Sequence, residues 1–236
     1  MKKIILPIFL FCLLFSNLKT NAQAVRDRGI IPVAVNLNLV LRFQILDGGN
    51  IEFVFNSIKD YSLGMGAAGA AVTNSVGLGV GTTLTADQQM YRTRFTVAAS
   101  RRWTLNYGTE QLTFMGTDNA ANTFPLDNVG ITMTATGTHT SVATGVTSTQ
   151  AGNFLVGGLT APSALVPFPV ALITDSGVAV ANAGSADDNS FCIFWQCGSA
   201  DGGGTPAMNA VTLLQQTTSP APDRYITNVL FELDGN

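Results

Sequence analysis

Charge is what this sequence has least of. Asp, Glu, Lys and Arg make up 11% of its 236 residues, against about 25% in an ordinary soluble domain. Lysine is rarer still and occurs only at positions 2, 3, 19 and 59. A polyanion partner needs a basic stripe to neutralise its phosphates. The one local basic group is Arg92, Arg94, Arg101 and Arg102, which suits the solvent face of adjoining strands, so no nucleic-acid partner is expected. Histidine occurs once, as His139, and no G-x-S-x-G elbow is present, which argues against Ser-His-Asp chemistry. No apolar run exceeds the twelve residues Ile4–Phe15, whereas a membrane span needs about 20. Long helical stripes are also missing. At the same time 46% of the residues are hydrophobic, too many for an intrinsically disordered chain.

The N-terminus has the layout of a secretory signal peptide. Lys2 and Lys3 precede the apolar run, and a polar stretch leads to Ala22-Gln23-Ala24, where small residues suit cleavage. Cleavage after Ala22 is favoured, with Ala24 as the alternative, and a secreted or cell-surface protein is expected. Removing residues 1–22 takes away three basic residues. Nine then stand against fifteen acidic ones, a net charge of −6.

What the chain has in quantity is alternation. Between Ile31 and Ile45 the odd positions are Ile31, Val33, Val35, Leu37, Leu39, Leu41, Phe43 and Ile45, while Asn36, Asn38, Arg42 and Gln44 fall between them. Period two is the mark of a strand with one buried face, so a long N-terminal strand over residues 30–46 is expected. Asp47-Gly48-Gly49-Asn50 has hairpin-turn composition, and Ile51, Phe53 and Phe55 resume the pattern. Further strands are expected around 91–97, 103–107, 131–140, 169–174, 191–196, 207–215 and 225–233. About ten short strands without intervening helices indicate an all-β sandwich, Ig-like or jelly-roll-like. No composition break divides residues 23–236, which reads as one domain.

Two cysteines survive processing, Cys192 and Cys197. In an oxidising compartment such a pair reads as a short-loop disulfide. A zinc site would want four ligands, and no cofactor or metal is expected. Gly64-Met65-Gly66-Ala67-Ala68-Gly69 satisfies G-x-G-x-x-G, but that pattern matters only inside a βαβ unit. It reads better as a Gly-rich β-connection. The acidic residues lie mainly in turn-like surroundings, and a loop calcium site around Asp187, Asp188 and Asn189 lacks EF-hand spacing. Catalytic residues are therefore not assigned, and a non-enzymatic role is expected. Thr132, Thr134, Thr136, Thr138 and Thr140 form a Thr ladder of the kind found on ice-binding faces. A solvent face filled with a good β-former explains it equally.

The signal peptide followed by a long apolar strand, then Ile51-Glu52-Phe53-Val54-Phe55, Trp103-Thr104-Leu105 after an Arg-flanked strand, and the closing run Asp223 to Leu233 carry a resemblance. In layout the chain resembles bacterial extracellular β-sandwich proteins: pilin-like and fibre-forming subunits, spore-coat-U-like domains and Trp-x-Leu surface proteins. The resemblance implies a structural or adhesive role.

The physics of the long strand points the same way. Edges are normally guarded by lysine or proline, and this strand carries only Pro32. Val33, Val35, Leu37, Leu39, Leu41, Phe43 and Ile45 are thus the candidate assembly strand, able to complete a neighbour's sheet by strand addition. The expected function is a self-assembling filament, pilus-like or surface-layer subunit. A secreted binding module for cell-surface glycans, with Trp195 as contact, is the alternative, and ice binding is a third reading.

Overall fold

A computed structural model describes residues 33–66, 90–142, 153–157, 159–175, 182–200, 203–217 and 220–235. The expected signal peptide and its expected cleavage sites, Thr144, Thr147, Thr149 and the Gly-rich stretch beyond Gly66 lie outside the described residues. The chain divides into one unit of Met1–Leu37 and another of Asn38–Asn236; the described strands all belong to the second.

The first sheet is built on β1 (Leu41–Asp47), β2 (Met65–Gly66), β3 (Arg92–Ala99), β7 (Val129–Ala135), β10 (Leu159–Ala164) and β12 (Ser190–Cys197). Its order is β1-β3-β12-β7-β10, antiparallel throughout. Strand β2 takes over beside β12 at Gln196 and Cys197, beyond the last β3 pair at Phe194. The second sheet contains β4 (Trp103–Thr109), β8 (Thr140–Val142), β9 (Asn153–Gly157), β11 (Val170–Asp175) and β14 (Val229–Gly235) in the order β14-β4-β11-β9-β8. A small third sheet joins β13 (Tyr225–Ile226), β5 (Thr113–Gly116) and β6 (Thr123–Pro125).

The two large sheets pack face to face, because alternate residues on each are apolar. Phe95 and Val97 on β3, Ile131 on β7, and Phe191 and Ile193 on β12 meet Trp103 and Leu105 on β4 and Ile173 on β11 in one buried core. Each such fully buried side chain contributes roughly 1.5–3 kcal/mol. Aromatic rings bridge the layers. Phe43 stacks on Phe231 at 5.6 Å between centroids, and Trp103 meets Phe191 edge-on at 6.2 Å. This is the all-β sandwich that the alternation predicts.

Several elements differ from the sequence expectation. The regular N-terminal strand covers Leu41–Asp47 only, and residues 33–40 carry no ladder. The turn at Gly48 (φ +69°) does not close a hairpin with Ile51–Phe55. Instead β1 pairs with β3 far along the chain, while Phe53 and Phe55 pack as irregular backbone against Tyr91 and Tyr61. A Cβ at position 48 would run into the Arg92 carbonyl, so this close crossing needs glycine as well as its positive φ. The stretch 207–215 is no strand: it holds an isolated bridge at Ala207 and a 3₁₀ turn at Leu213–Gln215. A short helix, α1 (Ile58–Leu63), adds to the expected strands. Its sequence signal is the capping box, in which Ser57 caps the Asp60 amide and the Asp60 carboxylate accepts from the Ser57 amide.

Candidate functional site

The candidate assembly strand is half ladder and half bare chain. Val33, Val35, Leu37 and Leu39 are 83, 77, 88 and 55% exposed, although all four have apolar surface to bury and the two valines are strong β-formers. Regular pairing begins just after Val40, whose amide donates to Ser100 Oγ at 2.9 Å and whose carbonyl accepts from the Ser100 amide at 2.9 Å. Beyond that tie Leu41 and Phe43 turn inward and are half-buried, while Ile45 stays exposed. A bulge at Leu46 breaks the register between Ile45 and Asp47. It swings Asp47 beside Arg94, whose Nε donates to Asp47 Oδ2 at 2.7 Å, with Arg92 close by. The Arg94 hydrogen bond and the two guanidinium charges hold the Asp47 carboxyl below its usual range. Of the basic cluster, Arg92 and Arg94 are thus partnered with Asp47, and Arg102 lies 3.9 Å from Asp175.

β1 is the end of the first sheet and β14 the end of the second, and they flank one side of the sandwich, with Leu41 beside Gly235. Along β14 the inward-facing Val229, Phe231 and Leu233 are only half-buried. Their register partners on β4, Thr109, Tyr107 and Leu105, are buried. The core is therefore thinly covered on this side.

The disulfide expectation is corrected. Cys192 and Cys197 are both free and both buried. They sit on one continuous strand, five residues apart, which separates their Cα atoms by roughly 16 Å, far beyond the roughly 7 Å limit of a disulfide. The odd spacing also sends them to opposite faces: Cys197 enters the core, whereas Cys192 lies beside Arg94 and Thr134 on the outer face. Burial pushes both thiols up, Cys192 to about 11 and Cys197 to about 12, so neither is a nucleophile near neutral pH.

Trp195 is likewise corrected as a ligand contact. It is 6% exposed, belongs to the core, and donates its indole N–H to Thr93 Oγ1 at 2.9 Å. Phe194 and Tyr107 are buried too. The Thr ladder does not form one flat row. Thr132 and Thr134 lie on β7, Thr136 and Thr138 in the following loop, and Thr140 opens β8 in the other sheet. In that loop Thr138 Oγ1 donates to Asp188 at 2.6 Å, and His139 Nδ1 lies 3.0 Å from Asn189 Oδ1. Asp188 also accepts from the Ser185 amide and hydroxyl. These bonds hold its carboxyl at about 2 and serve to pin the loop. Among the described residues no three His, Cys, Asp or Glu side chains converge as metal ligands. Gly64 ends α1, and Gly66 lies on β2 antiparallel to β12, so the G-x-G segment follows a helix; the rest of the motif, to Gly69, lies outside the described residues.

No protein-family model matches this sequence, and no curated protein matches it. None of the described helices is long and apolar enough to cross a membrane.

A shallow cleft of about 570 Å³ lies between the third sheet and the 3₁₀ turn, lined by Asn122, Thr123, Asn209, Gln215, Gln216 and Tyr225 among others. Its lining carries no charge. Gln216 is held there by Asn128 Oδ1 at 2.6 Å, and the Tyr225 hydroxyl donates to the Ala221 carbonyl at 2.7 Å.

Proposed function

We propose that the mature chain is a non-enzymatic extracellular structural protein, exported by its signal peptide, whose copies join by β-strand addition into a filament or surface layer. The carrying observation is the solvent exposure of Val33, Val35, Leu37 and Leu39. Four apolar side chains at alternate positions have a strand's pattern without a strand's partner. Apolar alternate side chains left in water lose the roughly 25 cal/mol per Å² that burial returns, and a neighbouring sheet edge supplies both the cover and the main-chain hydrogen bonds. The low charge of the chain, 11% of residues, also weakens repulsion between packed copies. Deleting residues 23–38 and imaging the secreted material by negative-stain microscopy tests this reading. Fibres or sheets are expected from the full mature chain and loss of them from the deletion; unchanged fibres would reject it.

A second reading, a neutral-glycan binding module, is favoured by the cleft at Tyr225. Uncharged amides and hydroxyls beside an aromatic ring match sugar hydroxyls and C–H faces. Glycan-array binding that vanishes in Tyr225→Ala while Trp195→Phe retains it would support this reading.

A further inference from the structure

The strand-addition reading leaves open which edge receives the incoming strand, and the described edges differ sharply in how they are guarded. β1 is broken by the Leu46 bulge, a device that twists an edge away from partners. β10 contains Pro162, shifts register between Leu159 and Ser163, and is met at Ser163 by a bridge from Ala207. β8 is three residues long. β14 has none of these protections. Its register with β4 runs unbroken through seven pairs, from Val229–Thr109 to Gly235–Trp103, and it contains neither lysine nor proline.

We propose that β14 is the acceptor edge, and that its occupant is the Val33–Leu39 segment of a second copy of this chain. This rests on the strand-addition reading. Three observations select that occupant. The lengths match, since both segments have seven residues and span roughly 23 Å when extended. The inner faces match: Val229, Phe231 and Leu233 are half-buried on β14, and Val33, Val35, Leu37 and Leu39 are exposed on the segment. Pairing would bury both sets over the thin side of the core, continuing the layer in which Phe231 stacks on Phe43.

The outer faces also match. Glu232 and Asp234 point outward and exposed on β14, and Asn36 and Asn38 fall at the outward positions of the segment. β4 already shows the pairing this allows, because Asn106 Nδ2 donates to Asp234 Oδ2 at 3.0 Å across the two strands. An Asn from the other side would repeat that rung. The tie between Val40 and Ser100 marks where regular pairing within the chain's own sandwich begins.

The test places a lysine on each edge of the full mature chain. Leu230→Lys alters an exposed β14 position, and Gln44→Lys is the matching change at an exposed position of β1. Loss of fibres in Leu230→Lys, with unchanged melting temperature and with fibres retained in Gln44→Lys, is the expected result. Fibres persisting in Leu230→Lys would overturn the β14 assignment and leave strand addition standing. A second measurement uses a benzophenone amino acid at position 36 in a mixture of isotopically light and heavy protein. Mixed-isotope cross-links to 229–235 support the proposal, and mixed links to 41–47 or 159–164 overturn it. A wild-type chain that forms neither fibres nor mixed links removes strand addition and the acceptor edge together.

Discussion

Asn182 and Trp103 are joined by three hydrogen bonds at the floor of the sandwich. The Trp103 amide donates to Asn182 Oδ1 at 3.0 Å, the Asn182 side-chain amide donates to the Trp103 carbonyl at 2.8 Å, and the Trp103 indole donates to the Asn182 carbonyl at 2.8 Å. Both residues are wholly buried. The asparagine thus mimics a β-ladder rung at the point where β4 begins, and Asn189 braces it from behind through Nδ2 at 3.2 Å.

Asn182→Ala leaves the buried Trp103 amide and carbonyl without their partners. At about 1–3 kcal/mol for each of the two orphaned groups, a loss of about 2–6 kcal/mol is expected, read as a lower urea midpoint with an unchanged slope.

Trp195→Ala is expected to act on stability. Truncating a buried tryptophan costs about 3–5 kcal/mol, and the Thr93 hydroxyl also loses its indole donor. Chemical denaturation should register the loss. A near-native midpoint would show that Trp195 is not held in the core.

Cys192 and Cys197 should react with an aromatic disulfide reagent only after unfolding. Their raised pKa values keep them as thiols at neutral pH, and burial shields both. Reduction should leave the melting temperature unchanged, and native mass spectrometry should count both sulfhydryl protons.

Asp188 sets a pH dependence at the Thr138–Ser185 loop. Its folded pKa of about 2 lies below the ordinary carboxyl value of 3.8. Its contribution to stability is therefore fully present above about pH 4 and is lost as pH falls through the folded value. Melting curves of the wild type and Asp188→Asn should differ at pH 6 and converge towards pH 2.

Much of the sandwich was legible because several of its strands, β1, β4 and β14 among them, are buried mainly on one face. Tyr91–Val97, Trp103–Tyr107 and Tyr225–Leu233 alternate, and each falls on observed strands, β3, β4 and the β13–β14 pair. Cys192–Cys197 misled because β12 is central and covered on both faces. A strand buried on both sides loses its period, and two cysteines close in sequence are then easily mistaken for close in space. Residues 33–39 and 51–55 misled in the opposite sense. They alternate as well as any strand, yet one stays in solvent and the other packs its aromatics with no ladder. The buried Asn182 clamp had no sequence signal, since an asparagine in a loop looks the same whether or not a tryptophan lies across from it.

Alternation is a property of neighbouring residues along one chain, so the sequence alone determined the fold class, the two-faced strands and the apolar character of the segment before β1. Pairing is a property of residues far apart, joined by hydrogen bonds between backbone groups that every residue type carries alike. Only the tertiary structure could therefore decide that β1 turns to β3 instead of to its neighbour, that the two cysteines face opposite ways, and that β14 is the last of the described strands in its sheet.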